Sequence, residues 1–273
     1  MRENKKFGLP LSMFKKKEFL RLSQINFIVA ISLLALIPIE TLAQRRRVEN
    51  MATYDYAKYH FGFILAVNQM HFTIKPIEKL NLTYFDSNST AEINADSAMI
   101  YSIESEPTYG FTVGIVSNLR LGNYFDLRFV PSLAFGERNL DYRLMRYPDK
   151  LLIDVRKNIP STFVEFPLTL KYKSKRLNNY RAYLVGGTSY RFDLSSQAKK
   201  RKESGVVQVK LNRNDIYMNL GFGFDFYFEW FKFGTELTMS YGLLDMLKRE
   251  DNIYTDGIDR LSSKIFQLTF TFE

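Results

Sequence analysis

Apolar and polar residues alternate along several segments of this chain. The clearest alternation lies near the end of the sequence, where one face is apolar and the other is polar. Its apolar residues are Phe266, Leu268, Phe270 and Phe272, and they alternate with Gln267, Thr269 and Thr271. Successive side chains of a β-strand point to opposite faces, whereas an α-helix repeats about every 3.6 residues. The pattern therefore predicts β-strands with one apolar face.

Eight such segments can be recognised. They span about 59–72, 106–120, 124–140, 162–172, 181–193, 216–228, 230–241 and 266–272. Most are about ten residues or longer, which is enough for a tilted strand to cross a bilayer. Pro131 and Pro167 fall inside two of the segments. Because Pro has no N–H to donate to a neighbouring strand, each predicts a bulge or a strand end.

The connections between the segments alternate in length. Short turns are predicted around Gly122-Asn123, at 173–180 and at Glu229-Trp230, and long connections at 73–105, 141–161, 194–214 and 242–262. Outer-membrane barrels have short periplasmic turns, longer external loops and an even number of strands. The sequence thus predicts an all-β fold, an eight-stranded antiparallel up-and-down transmembrane β-barrel over residues 59–273 with short periplasmic turns and longer extracellular loops. A periplasmic lead-in is predicted over 44–58.

The polar face of the predicted strands is expected to line the lumen. It carries mid-strand charges and interleaved glycines, namely Arg128, Glu165, Lys171, Arg191, Asp225 and Glu236 with Gly114, Gly187, Gly221, Gly223 and Gly234. A narrow eight-stranded lumen has room only for side chains, while the opposite Phe, Leu and Val face suits lipid. A soluble barrel would instead turn its apolar face inward.

The lumen charges are predicted to form a structural salt-bridge network rather than a transport path, because buried charges are tolerated only when paired. Its members are Arg128, Glu165, Arg191, Asp225, Lys232 and Glu236. Neighbouring predicted strands suggest that Arg128 pairs with Glu165. They also suggest that Arg191 or Lys232 pairs with Asp225 or Glu236.

The N-terminus has the features of a secretory signal peptide over residues 1–43. Basic residues precede an apolar run over 25–39, and Ala43 followed by Gln44 fits a cleavage site. The run is shorter than the roughly twenty apolar residues that a spanning helix needs. Translation could also start at Met13, which precedes the basic residues.

Composition narrows the chemistry further. The chain has no Cys, which excludes disulfides, thiolate metal sites and a lipoprotein anchor. Without the predicted signal peptide, which holds seven Lys and Arg and three Asp and Glu, the formal net charge falls from +9 to +5. These basic residues are scattered, so nucleic-acid binding is not expected, and no metal, cofactor or small-molecule substrate is expected.

An outer-membrane enzyme is the main chemical alternative. His71 lies near the external end of the first predicted strand, where a catalytic base could act, and His60 starts that strand. A lipid deacylase would also need a nucleophilic Ser beside the His and a carboxylate to orient it. No motif marks such a Ser, so no catalytic residue is predicted and the protein is expected not to be an enzyme.

Three stretches carry a resemblance to a known family. The first runs Phe111-Thr-Val-Gly-Ile-Val-Ser-Asn-Leu-Arg-Leu-Gly122 and continues through Tyr124-Phe-Asp-Leu-Arg-Phe-Val130 to Phe135-Gly-Glu-Arg138. The second is Phe163-Val-Glu-Phe-Pro167 with Lys171-Tyr-Lys-Ser-Lys-Arg-Leu-Asn-Asn-Tyr-Arg-Ala-Tyr183, and the third is Gly221-Phe-Gly-Phe-Asp-Phe-Tyr227. They closely resemble the PorT family, and the likeness covers most of residues 59–273. Glu273 departs from the aromatic residue that ends many barrels.

The resemblance implies a non-enzymatic outer-membrane component of the type IX secretion system of Bacteroidota, which exports proteins with a C-terminal signal domain and is linked to gliding motility. A filled barrel would act through its rim, turns or outer wall. We expect contacts with outer-membrane lipid or lipopolysaccharide, and contacts with other secretion-system subunits through Lys173, Lys175 and Arg176. A lipid-modifying enzyme and a structural or adhesive small barrel remain the alternatives.

Overall fold

The computed structural model of the protein describes residues 49–86, 90, 93, 95–195, 209–250 and 252–273. The predicted signal peptide, with Ala43 and Gln44, lies outside the described residues. The same is true of most of the predicted connection at 194–214. No helix in the described part of the chain is long and apolar enough to cross a membrane.

The described residues form eleven strands and one short α-helix. They are β1 (Tyr59–Pro76), β2 (Tyr84–Asp86), β3 (Ser97–Glu106), β4 (Thr108–Arg120), β5 (Phe125–Phe129), β6 (Ser132–Tyr147), β7 (Leu151–Lys173), β8 (Tyr180–Asp193), β9 (Asn214–Tyr227), β10 (Lys232–Gly242), α1 (Ile253–Asp256) and β11 (Ile258–Phe272). Two 3-10 turns lie at Tyr54–Tyr56 and Leu80–Leu82.

The strands form a single antiparallel up-and-down sheet. The pairings run from β1 through β11, β10, β9 and β8 to β7, which pairs with both β5 and β6. Both of these strands pair with β4, and β4 pairs with β1 from Tyr59 opposite Leu119 to Met70 opposite Thr108. The order of pairings therefore returns to the strand where it began.

Pro131 and Pro167 affect the sheet differently. The predicted strand end at Pro131 is confirmed, since β5 ends at Phe129 and β6 begins at Ser132. At Pro167 the prediction is wrong, because β7 continues through it and keeps its register with β8. The Pro167 carbonyl accepts a hydrogen bond from the Val130 N–H. The carbonyl and nitrogen of one residue point to the same neighbouring strand, so the Pro167 nitrogen, which has no hydrogen to donate, lies beside the break between β5 and β6. No ladder bond is lost there.

Two predicted long connections are largely strand. Residues 141–161 form a hairpin in which Arg146 pairs with Leu151, and residues 73–105 contain β2 and β3. The sequence prediction missed these strands because alternation continues there with the reverse orientation. On β7, Ile153 and Val155 point inward while Asp154 and Arg156 point outward.

The apolar core lies at the end of the sheet that carries the long connections. It includes Phe72, Phe85, Ile100, Leu140, Tyr142, Leu144, Leu211, Met246, Tyr254, Ile258 and Leu261, all of which are buried. We call this part the cap, defined as β2, β3, residues 138–147 and 151–161, and the segments 209–213 and 243–257. The opposite end, with the turns after β4, β7 and β9, is called the short-turn end.

Candidate functional site

The outer surface of the sheet away from the cap is apolar. On β9 every second residue is a large apolar side chain that is exposed, and these are Ile216, Met218, Leu220, Phe222, Phe224 and Phe226. The same feature continues on β1 with Phe61, Phe63, Leu65 and Val67, and on β7 with Phe166, Leu168, Leu170 and Tyr172. We call these outward side chains the belt. Soluble monomers rarely expose a continuous apolar surface that spans several strands.

The interior behind the belt is filled by charged pairs. Arg128 Nη1 lies 2.6 Å from Glu236 Oε2, and Arg191 Nε lies 3.0 Å from Glu165 Oε1. Lys171 Nζ lies 2.7 Å from Asp225 Oδ2. These six side chains are at most 11% exposed. Each charge is thereby compensated inside a low-dielectric environment, as burial requires. We call this set of pairs the plug.

The structure corrects the predicted partners within the plug. Arg128 pairs with Glu236 and not with Glu165, because its side chain reaches across the interior from β5 to β10. Glu165 instead faces Arg191 directly in the β7–β8 register. The prediction for Arg128 failed because inward side chains in a narrow interior also meet those of strands that are not neighbours.

The remaining predicted plug residues also have partners that differ from the prediction. Asp225 pairs with Lys171, and the Lys232 ammonium forms a short contact with the Glu273 carboxylate. Sequence reasoning treated Glu273 only as a departure at the terminus. Its side chain is nevertheless 1% exposed and completes an ion pair at the short-turn end.

Little space is left between these side chains. A cavity of about 60 Å³ remains between Arg128, Glu165, Arg191 and Glu236. That volume corresponds to about two water molecules at roughly 30 Å³ each. Gly223 contributes to the filling, because a Cβ there would come within 2.5 Å of the Tyr183 ring that occupies the interior beside it. The prediction that glycines on the inward face leave room for larger side chains is thus explained at Gly223 by the Tyr183 ring.

Arg138 separates the plug from the cap core and was missed by the sequence analysis. It is fully buried, donates to Ser161 Oγ and Ser263 Oγ, and lies 3.6 Å from Asp193. Its guanidinium also faces the Phe72 and Phe163 rings, at 4.5 and 5.0 Å from their centroids. Period-two spacing from Ala134 would have placed it inward, but its position near the end of a predicted strand hid that signal.

The lead-in packs across the short-turn end. Asp55 accepts hydrogen bonds from both terminal nitrogens of Arg181, at 3.0 and 2.9 Å, and one from the Tyr227 hydroxyl at 3.1 Å. Burial by itself would raise the pKa of Asp55, but the charge and hydrogen bonds of Arg181 outweigh it and hold the pKa below its ordinary value. The Tyr54 hydroxyl donates to Glu273 at 2.6 Å.

The three predicted partner-contact residues are not equivalent. Lys173 is buried, and its ammonium donates to Asp126 at 2.6 Å, so its assignment as an exposed contact is corrected. The Arg176 side chain is 8% exposed and lies 3.6 Å from Asp55. Lys175 is exposed. Lys173 continues the inward face of β7 two residues after Lys171, which the predicted strand end at 172 concealed.

A family comparison decides the class of the protein. The model of the outer membrane protein beta-barrel domain matches residues 42–248. The chain belongs to this outer-membrane β-barrel family. The protein is accordingly located in the outer membrane, which accounts for its belt, because lipid covers apolar side chains that water would disfavour. No curated protein matches the chain.

Solved outer-membrane barrels show a general likeness. OprG of Pseudomonas aeruginosa is 12% identical over 79% of this chain and 94% of its own, with a TM-score of 0.39. Ail, the attachment invasion locus protein of Yersinia pestis, is 11% identical over 79% and 99%, with a TM-score of 0.34. The N-terminal β-barrel domain of P. aeruginosa OprF is 15% identical over 79% and 99%, with a TM-score of 0.31.

Each of the two histidines of this outer-membrane barrel protein lies on β1 against an aromatic ring. His71 lies on β1 opposite Lys264 and stacks 6.0 Å from Phe266, and its Nδ1 atom is buried without a hydrogen bond. His60 stacks on Tyr54 at 3.9 Å and contacts its carbonyl. Within the described part of the chain, no group of three or more acidic or His side chains could hold a metal.

Proposed function

We propose that the protein is a transmembrane barrel of eight strand positions and a non-enzymatic component that supports assembly or operation of a type IX secretion translocon. In this barrel β5 and β6 share one position between β4 and β7. The ring then reads β1, β4, β5 with β6, β7, β8, β9, β10 and β11. Strands β2 and β3 belong to the cap beyond the belt.

The short-turn end faces the periplasm in this proposal. Barrels of the outer membrane keep both termini and their short turns on that side. Here the lead-in and the end of β11 meet at the short-turn end, since Tyr54 donates to Glu273. The turn after β9 is equally compact, with the Phe228 N–H donating to the Phe231 carbonyl at 3.0 Å. The cap then extends outside the cell.

The filled interior is the observation that carries the proposed role. The plug joins opposite walls through Arg128 and Glu236 and leaves a cavity of only about 60 Å³, too small for a polypeptide. A barrel of this kind supports export by contact with other subunits rather than by passing cargo. The resemblance of residues 111–138 and 163–183 to the PorT family supplies the system in which it would act.

Deletion of the gene in its own host tests the proposal. Proteins with C-terminal secretion signals are quantified in the medium, on the cell surface and in the periplasm, with a complemented strain as control. We expect these proteins to accumulate inside the cell and complementation to restore export. Normal export in the deletion strain would contradict the secretion role and direct attention to lipid-modifying activity or adhesion. Neither result would alter the assignment to the outer-membrane barrel family.

A further inference from the structure

A basic cleft lies at the short-turn end between the lead-in, the β4–β5 turn and the β7–β8 turn. It has a volume of about 350 Å³, comparable to small ligand sites. Its cationic residues are Arg120, Lys173, Lys175, Arg176 and Arg181. Asp55 is the carboxylate that lines it, and Asp126 lies behind Lys173. The cleft therefore holds a surplus of three positive charges.

The cleft already binds one carboxylate of a peptide segment. The two oxygens of Asp55 meet the fork of Arg181 at 3.0 and 2.9 Å, and Arg176 approaches one of them to 3.6 Å. Such bidentate contacts are the strong form of arginine–carboxylate recognition. The Arg176 and Arg181 side chains are fixed in place by packing, since each is 8% exposed and both guanidinium groups lie over the Tyr227 ring.

Two further cations of the cleft have no acidic partner among the described residues. Among the described residues, Arg120 donates to the Gly122 carbonyl and the Asn123 side chain, at 3.2 and 2.8 Å. Lys175 is exposed on the β7–β8 turn and forms no ion pair within the described part of the chain. Arg120 is also placed over the exposed ring of Tyr56, at 5.9 Å from its centroid. These two side chains offer positive charge that no acidic side chain of the described residues neutralises.

We infer that this cleft binds an acidic, carboxylate-rich segment of a periplasmic protein, with Arg120 and Lys175 as the recruiting charges. The inference rests on the proposed periplasmic side of the short-turn end, and it names the chemistry of the partner that the proposed function requires. Asp55 acts as an internal competitor, because its carboxylate neutralises Arg176 and Arg181, which an incoming carboxylate would otherwise reach. Charges at a rim mainly accelerate and select encounters, so binding weakens as salt increases.

Binding is tested with the mature protein folded in nanodiscs of zwitterionic lipid. The probe is a fluorescein-labelled hexaglutamate peptide, with hexaglutamine as the neutral control, and anisotropy reports binding at low salt. We expect the double variant Arg120→Gln with Lys175→Gln to weaken hexaglutamate binding about tenfold or more, which corresponds to about 1.4 kcal/mol. The matched control, Lys79→Gln with Lys150→Gln, removes equal charge at the opposite end and should leave binding unchanged.

The Asp55→Asn variant should change hexaglutamate affinity in the opposite direction. Removing this carboxylate frees the Arg176 and Arg181 guanidinium groups, so hexaglutamate should bind more tightly than to the unchanged protein. Heat-modifiable mobility in SDS gels confirms that each variant is folded before binding is compared. Absence of hexaglutamate binding, or equal weakening by the two double variants, would refute the cleft as the site.

Two competing sources of negative charge are separated in the same assay. Displacement of hexaglutamate by inorganic phosphate at equal carboxylate and phosphate concentrations would indicate a small-anion site and overturn the inference. Loss of binding in phosphatidylglycerol nanodiscs would assign the cleft to lipid headgroups, with the same consequence. In the host, the Arg120 and Lys175 double variant should lower export at unchanged barrel abundance. Normal export in the deletion strain would remove the secretion role while leaving the binding result intact.

Discussion

We call the part of the sheet that carries the belt and encloses the plug the belt region. It shares β6 and β7 with the cap, but the two regions place different kinds of residue inside. On β7 the inward residues of the cap are mostly apolar, as with Ile153, Val155 and Ile159 beside the polar Lys157 and Ser161. Inward Glu165 and Lys171 belong to the plug. The outward residues of β7 change in the opposite sense, from polar Asp154 in the cap to apolar Leu168 in the belt. The comparison shows that alternation specifies a strand, while the solvent on its outer side decides which face is polar.

The two regions are also held together by different forces. The cap buries a cluster of apolar side chains from strands and loops, so it resembles the core of a soluble β-protein. Its outer face carries exposed cross-strand pairs such as Arg143 with Asp154, at 3.0 Å, which contribute little. In the belt region the apolar surface faces lipid, and the interior depends on compensated charges. A given kind of substitution should therefore change the free energy of unfolding by different amounts in the two regions.

The largest effect is expected from breaking one pair of the plug. Arg128→Leu leaves the Glu236 carboxylate without its partner in the interior, which typically costs about 3–5 kcal/mol. Adding Glu236→Leu should recover most of that loss, because no uncompensated charge remains. Urea unfolding in lipid vesicles, followed by far-UV circular dichroism, measures both variants. If the double variant is no more stable than Arg128→Leu, charge compensation is not what holds the plug.

A cap substitution should act locally. Leu140→Ala opens a cavity in a fully buried apolar cluster and should cost about 2–5 kcal/mol within the cap. Hydrogen exchange in nanodiscs should rise in β3 and in residues 138–147, while exchange in β9 stays unchanged. Equal acceleration of exchange in β9 would show that cap and belt region unfold as one unit.

A charge on the outer face should distinguish lipid from water. Phe222→Arg places a cation on the belt, which costs about 2–4 kcal/mol near the bilayer midplane. Asn158→Arg makes the corresponding outward change on the cap and should alter stability by less than about 0.5 kcal/mol. Unfolding in vesicles compares the two variants directly. Similar losses in both would place lipid against the cap as well and erase the distinction between the regions.

The smallest expected effect concerns the lead-in. The pKa of Asp55 is lowered in the folded protein, so its contacts with Arg181 are fully stabilising above its ordinary value of 3.8. That contribution, below about 1 kcal/mol for such a partly exposed pair, is lost as the pH falls through the lowered value. The protection factor for hydrogen exchange of residues 50–56, which corrects the exchange rate for its intrinsic pH dependence, should therefore fall at acidic pH. Asp55→Asn is the control and should remove the pH step at that segment.

The sequence by itself determined the all-β class, the alternating segments that carry the belt and the inward side of the plug residues. These follow from local rules, because the period of two assigns faces without knowledge of the neighbours. It also located Pro131 at a strand end. The strands of the cap were missed because their outward face is polar, so the segments were taken for loops between strands. Lys173 and Arg138 were missed because both lie at the ends of predicted strands.

Only the tertiary structure decided which charges meet. Arg128 and Glu236 are 108 residues apart and lie on strands that are not neighbours, so neither spacing nor strand adjacency links them. The same holds for Asp55 with Arg181, which are 126 residues apart. Contacts across the interior depend on strand register and on the side chains that fill the remaining space. The sequence thus determines what each face is made of, and closure of the sheet determines the pairs.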